Sequence, residues 1–126
     1  MATEINNIIQ AKDLPDPFVK VDKYCSFWIP DIRTESSRSV WDVKYENSSV
    51  IKFNTQREVP IKEVVTLSKL FPKKKIIFLF KTEYDSNFQS MIFENGDCIY
   101  YSSKPSKYMD AEEILVEYLK LKGIKV

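Results

Sequence analysis

Histidine is missing from all 126 residues, and glycine occurs only twice, at Gly96 and Gly123. The first absence removes the usual general base near neutral pH and a common metal ligand. The second leaves no glycine-rich loop to wrap around a phosphate. Cysteine is scarce as well. Cys25 and Cys98 stand far apart and fit no metal or redox spacing. Two buried free thiols are expected, which suits a reducing, cytoplasmic compartment. Long apolar runs are also missing. The longest, Ile76–Phe80, is far too short to span a bilayer. The opening Met-Ala-Thr-Glu-Ile-Asn has neither the basic stretch nor the apolar core of a signal peptide, so none is expected. Neither sign of charge dominates: 19 basic and 18 acidic residues leave a net charge of +1. That balance argues against a strongly basic nucleic-acid binder, and equally against an acidic mimic of DNA.

What is present suffices for a folded core. Apolar residues make up 44% of the chain and aromatics 13%, so global disorder is not expected. The length fits a single domain over 1–126, with 1–39 as an N-terminal arm and loop and 40–126 as the core.

Apolar spacing and turn residues divide the chain. Thr3 is placed to cap a short helix with Ile5, Ile8 and Ile9 on its apolar side. Pro15 and Pro17 stop it. Phe18–Val21 and Tyr24–Ile29 read as extended. Residues 31–39 are polar and aperiodic, the longest loop candidate. Val40–Tyr45 and Val50–Asn54 read as a hairpin. Pro60 opens a helix with Ile61, Val64, Val65, Ser68 and Phe71 at helical spacing, and Pro72 ends it. Lys73-Lys74-Lys75 follows as a solvated loop.

Ile76–Phe80 has no polar alternation, which predicts a strand buried on both faces. Phe88–Glu94 and Asp97–Tyr101 flank Asn95-Gly96, the strongest hairpin turn in the chain. Lys104–Lys107 reads as a loop. Asp110 and Glu113 form a capping box for a last helix, with Ile114, Leu115, Tyr118 and Leu119 as its stripe and Gly123 at its end.

From Val50 onward the order is strand, helix, strand, strand, helix. This predicts an α+β, ferredoxin-like split β-α-β sheet with two helices on one face, plus an N-terminal helix, extended arm and hairpin. Two helices on one face leave the other apolar face in need of a cover. Phe18, Phe27, Trp28 and Ile29 of the arm are the expected cover; a homodimer or a partner protein is the alternative.

A set of short motifs strengthens the ferredoxin-like reading. They are Trp41-Asp42-Val43, Ile51-Lys52-Phe53-Asn54-Thr55, Val59-Pro60, Leu67-Ser68-Lys69-Leu70-Phe71-Pro72, Phe88 and Glu94-Asn95-Gly96. In order and spacing they resemble the ferredoxin-like domain of the YubB family of plasmids and phages. The resemblance covers about residues 41–97. It implies the fold and a mobile-element origin, and it carries over no catalytic residue.

Chemistry has little to work with. The carboxylate pairs Glu83/Asp85, Glu94/Asp97 and Glu112/Glu113 border turns or open a helix, where solvation or the helix dipole explains them. No cofactor or metal is expected. The expected activity is contact with another protein, by occlusion of a host or rival factor. Trp28, Arg33, Arg38 and Tyr101 are the candidate contact residues, because tryptophan and arginine anchor interfaces out of proportion to their number. The alternative is a single-stranded nucleic-acid module that stacks bases on its sheet.

Overall fold

Ile76, Ile77, Phe78, Leu79 and Phe80 are buried without exception, as a strand apolar on both sides requires. Around this strand the computed structural model describes residues 3–11, 19–29, 32–34, 39–47, 50–85 and 88–106. The last helix expected after Lys107 lies outside the described residues, as do Phe18 and Arg38.

The described elements are β1 (Glu4–Gln10), β2 (Lys20–Val21), β3 (Phe27–Ile29), β4 (Ile32–Thr34), β5 (Val40–Asn47) and β6 (Val50–Gln56). Then come α1 (Ile61–Leu70), β7 (Ile76–Thr82), β8 (Phe88–Glu94) and β9 (Asp97–Ser106). Six strands form one sheet in the order β5-β6-β1-β7-β8-β9, antiparallel at every pairing. A second sheet holds β2-β3-β4.

This is not the expected ferredoxin-like fold. The architecture is mostly β, with α1 the single helix among the described residues. The main cause is residues 4–10, which form a central strand rather than a capped helix. Because β6 and β7 both run antiparallel to β1, they run parallel to each other, and α1 makes the crossover between them. The crossover leaves a strand-wide slot, and β1 fills it. Ile5 and Ile9 are four apart, so they share a face in a helix and in a strand alike. Burial on both sides decides between the two. Ile5 and Ile9 join the core beneath α1, while Ile8 joins a cluster on the opposite face. A one-sided amphipathic helix would leave one of those sets in solvent. The first strand is therefore core rather than arm.

Other elements follow their local signals. Pro60 precedes α1, and Val64, Leu67 and Ser68 are buried on its inner side. Ile61 is 39% exposed, so the buried stripe begins one turn later than its spacing suggests. Asn95 and Gly96 both adopt positive φ, at 48° and 85°, as their hairpin turn demands. β4 lies inside the segment read as a loop, and β9 continues through Pro105 to Ser106.

The arm packs on the side opposite to the expected one. Val21 and Phe27 belong to the same core cluster as Val64 and Leu67. Phe27 meets Phe53 edge-on, with ring centroids 5.9 Å apart and planes at 76°. The small sheet and α1 therefore lie side by side on one face of the large sheet. Helix α1 sits over β7 and β8, and the small sheet sits over β5 and β6. The cross-links to β5 explain the choice. The Val40 amide donates to the Lys23 carbonyl at 2.9 Å, and the Tyr45 hydroxyl bonds both backbone groups of Val21.

Candidate functional site

The β2–β3 connection is a turn organised by one side chain. Asp22 Oδ1 accepts hydrogen bonds from the amides of Tyr24 at 2.9 Å and Ser26 at 3.1 Å. The Cys25 amide donates to the Asp22 carbonyl at 3.0 Å, and Cys25 takes a φ of 57°. Short Asx turns of this kind satisfy backbone donors that a sheet ladder leaves over. The turn fixes the register of the two strands it joins.

That register builds a row across the small sheet. Lys20 stands directly opposite Trp28, and Trp28 directly opposite Arg33. Lys20 and Trp28, directly opposite one another, share a face. Neighbouring Phe27 points inward and is fully buried, so Trp28 points outward and is half-buried. Lys20 Nζ lies 4.8 Å from the centroid of the Trp28 ring. A second pair of the same kind sits in the adjoining turn, where Lys23 Nζ lies 4.9 Å from the centroid of Tyr24. Tyr24 is 50% exposed. Cations over ring faces gain electrostatic attraction, and they order flat aromatics that a partner can bury.

The four residues singled out from the sequence are only partly brought together. Trp28 and Arg33 become cross-strand neighbours. Arg38 lies outside the described residues. Tyr101 sits on β9, at the far edge of the large sheet, opposite Met91. Four strand spacings separate β9 from β6, about 19 Å. Its hydroxyl lies 2.6 Å from Gln89 Oε1 and donates to it, and its ring is 52% exposed. Tyr101 is thus an aromatic remote from the Trp28 row. Lys20, Lys23 and Tyr24 were missed by the sequence reading. Alternation around Phe27 could have found Trp28's outward side, but only strand pairing shows that Lys20 faces it.

Several other polar groups have structural partners. Asp85 Oδ2 accepts from the Thr82 amide and hydroxyl, closing the turn after β7. Glu94 lies 3.6 Å from Lys75 Nζ. Glu83 Oε1 accepts from the Glu4 amide at 3.3 Å. Cys25 is buried as expected. Cys98 is exposed, contrary to expectation, because it stands in the hairpin's outer strand, and its thiol donates to the Tyr100 carbonyl at 3.2 Å. Trp41 is half-buried and stands opposite Asn54, so it is a border residue rather than a core anchor. Among the described residues, no helix is long and apolar enough to cross a membrane.

No family model, curated protein or solved structure matches this chain.

Proposed function

We propose that the chain is a protein-binding domain, and that the outer face of the small sheet is its contact surface. The reading rests on the Lys20–Trp28 pair: an aromatic ring with a lysine directly opposite it in the small sheet and the ammonium over the ring. A half-exposed tryptophan supplies the apolar anchor typical of interface centres. Cations over exposed rings, Lys20 at Trp28 and Lys23 at Tyr24, select a partner surface rich in carboxylates, and they steer its approach more than they add to its affinity. The partner that fits is therefore a folded protein with an acidic patch. The chain acts on it by occlusion, as an inhibitor or antitoxin-like factor of a mobile element would. Burial of Ile77, Leu79 and Ile92 counts against the stacking of nucleic-acid bases on the large sheet.

The test is chemical cross-linking in cells of origin, followed by measured binding of the captured protein. Trp28→Ala and Lys20→Glu should each weaken that binding at least tenfold, while the circular dichroism spectrum stays unchanged. Capture that is indifferent to both substitutions refutes the reading. So does tight, salt-sensitive binding of a mixed-sequence single-stranded oligonucleotide.

A further inference from the structure

The sheet face turned away from α1 carries Ile8, Ile77, Leu79 and Ile92, with Val50, Phe88, Ile99 and Tyr100 around them. The four central residues are 3%, 1%, 0% and 0% exposed. A sheet does not seal its own face, because its side chains stand perpendicular to it and their tips need a second layer. The described elements supply none. Val64, Leu67, Val21 and Phe27 all belong to the cluster on the other face. Ala11 and Val19 also belong to that other cluster.

We propose that residues 111–122 form an amphipathic helix of this same chain that docks across the face, Ile114, Leu115, Tyr118 and Leu119 inward. The inference is independent of the protein-contact reading above. Its first ground is position. β9 leaves the sheet at Ser106, paired with Phe88. Phe88 is two residues along β8 from Ser90, which pairs with Leu79. The lateral step from β9 to β7 is about 10 Å, and the four residues 107–110 reach up to about 13 Å.

Length and chemistry agree with position. Twelve helical residues extend about 18 Å, and the face from β1 to β9 is about 14 Å wide. Ile114, Leu115, Tyr118 and Leu119 repeat at helical spacing, whereas Glu113, Glu117 and Lys120 fall on the other side. A one-sided helix needs an apolar face to lie on, and this one lacks a described cover. The occupied face would then be closed to a second copy of the chain.

The test uses methyl-labelled full-length protein. Nuclear Overhauser contacts are expected between the methyls of Leu115 or Leu119 and those of Ile8, Leu79 or Ile92. They should arise within one molecule, as read from mixed samples of differently labelled protein. Contacts found only between copies overturn the proposal in favour of a dimer, and no contacts at all overturn it outright. Leu115→Asp with Leu119→Asp should also raise binding of a hydrophobic dye several-fold, whereas Glu117→Gln should leave it unchanged. Equal dye binding in the two variants counts against the docked helix, and the wild-type contacts decide the question even if the double variant does not fold.

Discussion

The Ser68 hydroxyl of α1 accepts a hydrogen bond from the Gly96 amide at 2.8 Å, which ties the helix to the tip of the β8–β9 hairpin. Ser68 is fully buried and also donates to the Val65 carbonyl at 2.7 Å. One hydroxyl thus uses both its capacities to join an element of helical period to one of strand period.

Removing either end of that link should be costly. Ser68→Ala leaves the Gly96 amide without this acceptor and is expected to lower stability by about 1–3 kcal/mol. Gly96→Ala acts differently. The residue sits at φ +85°, and a Cβ there would meet Lys69 Cε at 2.6 Å. The lysine side chain can swing away, so the backbone strain of about 1–2 kcal/mol remains as the main cost. Urea denaturation measures both. A loss near zero for either variant contradicts the described geometry.

Phe27 and Phe53 should behave as a coupled pair. Their edge-on contact fastens the small sheet to the large one. Phe27→Ala is expected to cost about 3–5 kcal/mol. A double-mutant cycle with Phe53→Ala should return a coupling of about 0.5–1.5 kcal/mol beyond the lost burial. Strict additivity would show that the sheets are held together elsewhere.

Tyr45 links the same two sheets through polar groups, and its behaviour depends on pH. Burial pushes its hydroxyl above the usual value of 10.0; the Val21 hydrogen bond pulls it partly back, and nearby Asp22 raises it again. A tyrosine whose folded-state pKa exceeds its unfolded one adds stability that is fully present below the unfolded value. That stability is lost as pH rises through the folded value. Wild-type stability should therefore fall above about pH 10 more steeply than that of Tyr45→Phe. At neutral pH the substitution should cost about 0.5–1.5 kcal/mol for the lost hydrogen bonds. Parallel pH profiles for the two proteins would remove Tyr45 from this role.

Some of this architecture was legible residue by residue. Pro60 and Pro72 bracket α1 because proline constrains φ and removes a donor wherever it stands. Asn95-Gly96 turns because both residues tolerate positive φ. Ile76–Phe80 had to be interior, since no surface strand is apolar at five successive positions. Half of the Trp28 site was readable too: its residue types suit an interface. Its geometry was not, because Lys20 lies eight positions earlier and meets the ring only through the β2–β3 pairing.

What the chain alone determined are the features set by short-range sterics and apolar period: the helix bounds, the hairpin turn and the doubly buried strand. Tertiary structure decided the rest. The spacing of Ile5, Ile8 and Ile9 suits a helix as well as a strand, and only the slot between parallel β6 and β7 selects the strand. Likewise Phe27 is apolar whichever face it covers, and the bonds from Val40 and Tyr45 bring it to the side of α1. Such choices depend on partners distant in sequence, whose positions no local pattern encodes.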